Sequence, residues 1–236
     1  MEIRLAHDRG RAEHGWLKSR HSFSFGDYYD AERMGFGVLR VINDDRVSPG
    51  AGFPTHPHRN MEIISYVVEG ELEHRDTLGN GSVIRPGEVQ RMSAGTGIAH
   101  SERNASNTDG LRFLQIWIEP AERGTAPGYE QRAFAVDPER PLRLVVSPSG
   151  SDGSVRVGQD ARIYRGSFVR DGQDASHTLP EGRSAFVQVV RGALRVRAQE
   201  VSEGDAVLLP EGGEVRMEGA AGSEVLLFDL PEVEHG

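Results

Sequence analysis

The chain repeats itself. "SYVVEGELEHR" (65–75) and "VQVVRGALRVR" (187–197) both read as apolar strand, glycine turn, strand. Further on, "RPGEVQRMSAGTG" (85–97) is matched by "SEGDAVLLPEGGE" (202–214), each with a glycine–acidic turn, an apolar stretch and a pair of glycines. Each half then closes on an apolar run, "LQIWIEP" and "LLFDLPE". Self-similarity at such a distance means two like modules in tandem. Valine, isoleucine, phenylalanine and tyrosine dominate the apolar runs, whose lengths suit strands, and no long segment carries a helical stripe. The pattern predicts an all-β protein of two tandem antiparallel barrels or sandwiches. The stretch "AERGTAPGYEQRAFAVDPERP" (121–141) is rich in glycine, proline and charge and reads as the connection. It sets the modules at 1–125 and 126–236.

Composition removes several function classes. There is no cysteine, which excludes disulfides, thiolate catalysis and thiolate metal sites. A net charge of −9 argues against a nucleic-acid backbone as partner. No apolar run approaches the roughly 20 residues of a membrane span. The polar opening, "MEIRLAHDRGRAEHGWLKSR", reads as no signal peptide, so a cytoplasmic location is expected.

With only nine histidines, their placement matters. His56 and His58 stand two apart, so in a strand both imidazoles project from one face. The same parity would carry Asn60, Glu62, Ile64 and Tyr66. His100 and Glu102 form a second pair of the same spacing in "GTGIAHSERN". If the two strands face one barrel interior, three imidazoles and a carboxylate converge, a set suited to a divalent first-row metal with positions left open. His74 and Asp76 share a strand face too. With no nucleophile placed near them, they read as structural. His7, His14 and His21 read as packing or capping residues, and Glu32, Arg33 and "NDD" (43–45) as solvated turn residues. The C-terminal "EVEHG" reads as a fraying end.

Gly52, His56, His58, Glu62 and Gly70 stand at the spacing of the first cupin motif. Gly87, Ser93, Gly95, Gly97, His100 and Asn104 resemble the second, with serine where proline is usual and two extra residues before the histidine. The long stretches at 14–45, 55–80 and 89–104 are more specific and resemble the pirin family, within it short bacterial members described as quercetin 2,3-dioxygenases. That resemblance implies a bicupin of double-stranded β-helix, jelly-roll type, with its metal in the N-terminal barrel. It implies His56, His58, His100 and Glu102 as ligands, Glu102 also taking the catalytic proton, and Glu62 in a supporting role that suits orienting a ligand imidazole.

Fe(II) is the metal implied by the resemblance; Cu, Ni, Mn, Co and Zn also suit the donors. The implied substrates are a flavonol and O2, with ring opening and release of carbon monoxide. Phe53, Met61 and Phe113 are expected pocket residues. A rival reading, from some eukaryotic pirins, is an iron-dependent regulatory protein acting through a protein partner. A third is another cupin chemistry, such as isomerisation or oxalate breakdown. Carrying the repeat offset into the second module puts Thr178 and Pro180 at the histidine positions and Ser184 at that of Glu62, with His177 on the opposite face. The motif-two positions fall near Val215 and Met217. The second module is therefore expected to bind no metal, and the fused pair to act as a monomer.

Overall fold

The computed structural model describes residues 1–232, so all but the first residue of the C-terminal "EVEHG" lies outside the described residues. The described chain is all-β, with two short 3₁₀ turns at Ala6–Asp8 and Ser151–Gly153. No helix is long and apolar enough to cross a membrane. By contact the chain divides into two compact units, one of residues 10–134 with 155–159, the other of residues 1–9, 135–154 and 160–236.

The sequence boundary at 125/126 misses two details of this division. The connection predicted at 121–141 contains the strand Gly128–Ala133, which pairs with Glu88–Ser93 of the N-terminal unit. The first strand, Glu2–Arg4, pairs with Ala206–Leu208 and so belongs to the C-terminal unit.

In the N-terminal unit two antiparallel sheets make up the barrel. One runs, in spatial order, through Gly128–Ala133, Glu88–Ser93, Glu62–Glu69, Leu111–Ile118, Leu39–Val47, Leu17–His21 and Gly10–Glu13. The other runs Gly52–His58, Ile98–Asn104, Leu72–Asp76, Gly81–Ile84. Alternation along each strand sends apolar side chains into the barrel. Leu17, Val47, Val67, Leu72, Ile84, Leu111 and Phe113 form one buried cluster; Ile63, Met92, Ala94 and Ile98 form a second. The C-terminal unit repeats the plan, with a core that includes Val187, Val189, Val207, Val215, Met217 and Leu227.

The repeated glycine explains the shared hairpin. Gly70 and Gly192 both sit at positive φ, +80° and +76°. A Cβ on Gly70 would lie 2.5 Å from the Gly110 carbonyl oxygen, and one on Gly192 2.7 Å from Ser223 Oγ. Both the dihedral and the close approach require glycine.

"NDD" is not a solvated turn. Asn43, Asp44 and Asp45 lie in the strand Leu39–Val47 and are buried. Strand alternation splits them. Asn43 and Asp45 line a cavity, whereas the Asp44 carboxylate accepts two hydrogen bonds from Arg112, from Nε at 2.9 Å and Nη2 at 3.0 Å. Polar residues misled the sequence reading because each has a partner, or a cavity, that only the fold supplies.

Candidate metal centre

His56 and His58 lie on Gly52–His58, and His100 on Ile98–Asn104, its antiparallel neighbour. His100 is the direct cross-strand partner of His56. One nitrogen from each of the three rings lies within 4.8 Å of the others. Gly52 permits the close strand approach: a Cβ there would sit 2.3 Å from the Glu102 carbonyl oxygen. Between His100 and Glu102 the register shifts, so that Glu102 stands opposite Phe53. This bulge lies beside Pro54, which has no N–H for the ladder.

Hydrogen bonds decide which ring nitrogens are available. His56 Nδ1 lies 2.8 Å from the Pro54 carbonyl oxygen and must carry the hydrogen. His74 Nε2 lies 3.0 Å from Asp76 Oδ2. Burial alone would raise the Asp76 carboxyl. The hydrogen bonds it accepts from His74, Asn80 and Leu78 outweigh that and hold it below its ordinary value, an ionised acceptor. His74 therefore donates from Nε2 and accepts at Nδ1, which faces His100 Nδ1 at 3.5 Å. His100 thus donates from Nδ1. The Nε2 atoms of His56 and His100 are left as two lone pairs 3.1 Å apart. Two metal bonds of about 2.1 Å meeting at a right angle end about 3.0 Å apart, so this spacing fits a shared cation.

Two of the imidazoles are also kept neutral, as ligands must be. Burial, then the neighbouring rings, pushes His100 down to about 2. Burial and His56 push His58 down to about 4. The three histidines thus form a group suited to a metal ion, and Asp76 and His74 fix the tautomer of one of them. His74→Phe should weaken metal binding about 10- to 100-fold while leaving the three rings in place. Competition with a chelator measures this; an unchanged affinity would remove the relay.

Glu102 is fully buried. Its Oε1 accepts from Ser65 at 3.1 Å and its Oε2 from Gln115 Nε2 at 2.6 Å. Burial raises its carboxyl to about 7, with Asp45 adding to the shift and the two donors opposing it. The carboxylate is outside the three-histidine group. Glu62 has a different setting from the one its parity suggested. Asn60, at φ +51°, breaks the strand, and the chain crosses from one sheet to the other. Beyond that break it is Ser65 and Val67 that face the interior. Glu62 accepts from Ser93 at 2.8 Å, with Arg91 Nε 4.0 Å away. It orients no imidazole.

Beside the histidines lies a cavity of about 750 Å³. Trp16, Phe25, Tyr28, Phe53 and Trp117 give it aromatic walls; Ser19, Asn43, Asp45 and Gln115 give it a polar side. Trp117 stands edge-on to His58, ring centroids 5.1 Å apart. Of the expected pocket residues only Phe53 lines this cavity. Phe113 is in the core, and Met61 packs against the Ile63 cluster. Much of the cavity wall comes from the segment 11–28, in which the sequence marks no single residue as lining a pocket. His14 and His21 line it, whereas His7 is exposed.

In the C-terminal unit the carried-over positions are off by one. Along Gln173–Leu179 burial alternates so that His177 is half-buried and Thr178 exposed. His177 Nε2 lies 2.8 Å from Asp229 Oδ2, a carboxylate that also accepts from Arg183. Val215 and Met217 are core residues.

Comparison with known proteins gives the same outline. The family model described as Pirin matches residues 2–118, and that of a quercetinase C-terminal cupin domain matches residues 144–230. A protein of Escherichia coli (strain K12) named quercetin 2,3-dioxygenase is 47% identical, over 98% of this chain and 99% of its own. A crystal structure of the bacterial pirin YhhW from Escherichia coli, in complex with nickel(II), superposes with a TM-score of 0.93 at 47% identity, covering 98% and 99% of the two chains. A quercetin 2,3-dioxygenase from Acinetobacter baumannii, at 22% identity, shares the fold with a TM-score of 0.78 over 98% of this chain and 86% of that one.

Proposed function

The chain belongs to the pirin family, and from that premise we propose that it is a metal-dependent dioxygenase that opens a flavonol ring with O2 and releases carbon monoxide. The observation that carries this reading is the aromatic-walled cavity lying directly against His56 and His58. A flat aromatic substrate can stack there and still reach the metal position. The name of the 47% identical Escherichia coli protein points to the same substrate class.

We take His56, His58, His100 and Glu102 as the ligands and Fe(II) as the metal, on the three-nitrogen, one-oxygen donor set. A divalent metal held there would acidify the flavonol 3-hydroxyl and provide the redox centre for O2. The protein supplies the rest. Pro54 and the His74–Asp76 pair fix which nitrogens of His56 and His100 carry hydrogen. The carboxylate of Glu102 can take the hydroxyl proton and later return it. Ser65 and Gln115 keep both of its oxygens oriented through that change. Trp16, Phe53 and Trp117 exclude water from the reacting ring.

With Fe(II) loaded and quercetin supplied, O2 uptake and carbon monoxide release should match the loss of flavonol absorbance one to one. If Fe, Cu, Ni, Mn and Co all fail to support any of the three, the oxygenase reading falls, and an iron-dependent binding role replaces it.

A further inference from the structure

One residue of the cavity wall carries a buried carboxyl oxygen with no partner. Asp45 is 2% exposed, its Oδ1 has no hydrogen-bond partner, and the residue lines the same cavity as His56 and His58. It lies on Leu39–Val47, in the sheet across the barrel from the histidine strands. Leaving a buried carboxyl oxygen unpaired is costly. Ser19, His21 and Asn43 line the same cavity, and none of them pairs with Oδ1.

His21 Nδ1 lies 2.7 Å from Asn43 Oδ1 and 3.3 Å from Ser19 Oγ. A carbonyl oxygen only accepts, so Nδ1 carries the hydrogen and Ser19 Oγ accepts its longer arm. The Ser19 hydroxyl is left to donate to the Asp45 carboxyl, at the oxygen other than Oδ1. The network thus runs from His21 through Ser19 to the carboxyl of Asp45, a residue of the cavity wall. The adjacent Asp44 is turned to the opposite face, where Arg112 holds it.

We infer that the Asp45 carboxylate accepts a hydrogen bond from a second hydroxyl of the substrate, other than the one that meets the metal, and so selects polyhydroxylated aromatic rings over bare ones. This rests on the reading of the cavity as the substrate site. A site built to pair a hydroxyl rejects an analogue lacking it, because the buried acceptor is then left unpaired.

Binding can be read without turnover. Anaerobic titration of the nickel-loaded protein, followed through the fluorescence of Trp16 and Trp117 in the cavity wall, compares quercetin with 3-hydroxyflavone. The second compound keeps the 3-hydroxyl and carbonyl but lacks the other hydroxyls. The wild type should favour quercetin about tenfold or more. Asp45→Leu should weaken quercetin by about that factor and leave 3-hydroxyflavone within about threefold, bringing the ratio near one. Asp45→Asn, which keeps a carbonyl oxygen and the side-chain shape, should retain part of the preference. Ser19→Ala, which removes the donor behind Asp45, should lower it. A quercetin preference unchanged in all three variants overturns the inference, as does the absence of saturable binding of either compound to the wild type. Loss of preference in Asp45→Leu without flavonol turnover by any metal form would leave this subsite standing and remove the dioxygenase reading alone.

Discussion

His56→Ala is expected to lose the metal and the activity together. His56 contributes one of the two Nε2 lone pairs that face each other at 3.1 Å, and its Nδ1 hydrogen is already committed to Pro54. No other side chain of the cluster can supply a nitrogen at that place. Removing an outer partner of a metal ligand typically costs about 10- to 100-fold in affinity, and removing the ligand itself should cost more. Metal content after dialysis should therefore fall below about a tenth of the wild-type value, and turnover should fall with it. Glu102→Ala is expected to behave in the same way. In that variant Ser65 and Gln115 would also lose their common acceptor. Full occupancy in His56→Ala would refute the three-histidine centre. Full occupancy in Glu102→Ala would leave the histidines as ligands and reduce Glu102 to a proton carrier. Measuring metal content alongside turnover separates these outcomes.

Arg112→Leu should be the most damaging change to stability away from the centre. Arg112 and Asp44 form a two-pronged ion pair, and both are at most 5% exposed. Removing Arg112 takes two charge-assisted hydrogen bonds from a buried carboxylate, a loss of about 3–5 kcal/mol. For a chain of this size that lowers the melting temperature by on the order of 10 °C. The double variant Arg112→Leu/Asp44→Leu should recover much of the loss, because it removes the uncompensated charge as well. Thermal unfolding of the three variants would decide. A single variant within about 1 °C of wild type would mean that the pair is replaced by water at little cost.

Some of this was legible in the sequence and some was not, for definable reasons. The histidines could be read because i and i+2 share a strand face, a local rule that holds along Gly52–His58 and Ile98–Asn104. The same rule failed for Glu62, because a single residue, Asn60, leaves extended conformation and resets the parity beyond it. It failed again at His177 and Thr178, where the repeat offset is one residue out of phase with the strand. His74 and Asp76 were visible as a pair. Their contact with His100 depends on the register of two strands, with His100 opposite Asp76 and Glu102 opposite His74. No local pattern encodes that register. Asp45 was hidden for the opposite reason. Three consecutive polar residues look solvated, and only the barrel shows that two of them face a cavity and the third an arginine.

The pairing of Glu2–Arg4 with Ala206–Leu208 bears on how the chain is made. The earliest of the described strands must wait for a partner some two hundred positions later, so it stays unpaired until Ala206–Leu208 has been made. Long-range closure of this kind is slow and leaves an unpaired strand exposed meanwhile. A nick in the exposed stretch near Glu122 would not free the C-terminal unit as a whole, because its first strand would remain on the other fragment. Expression of residues 126–236 alone would yield a barrel lacking one edge strand, open to pairing with copies of itself.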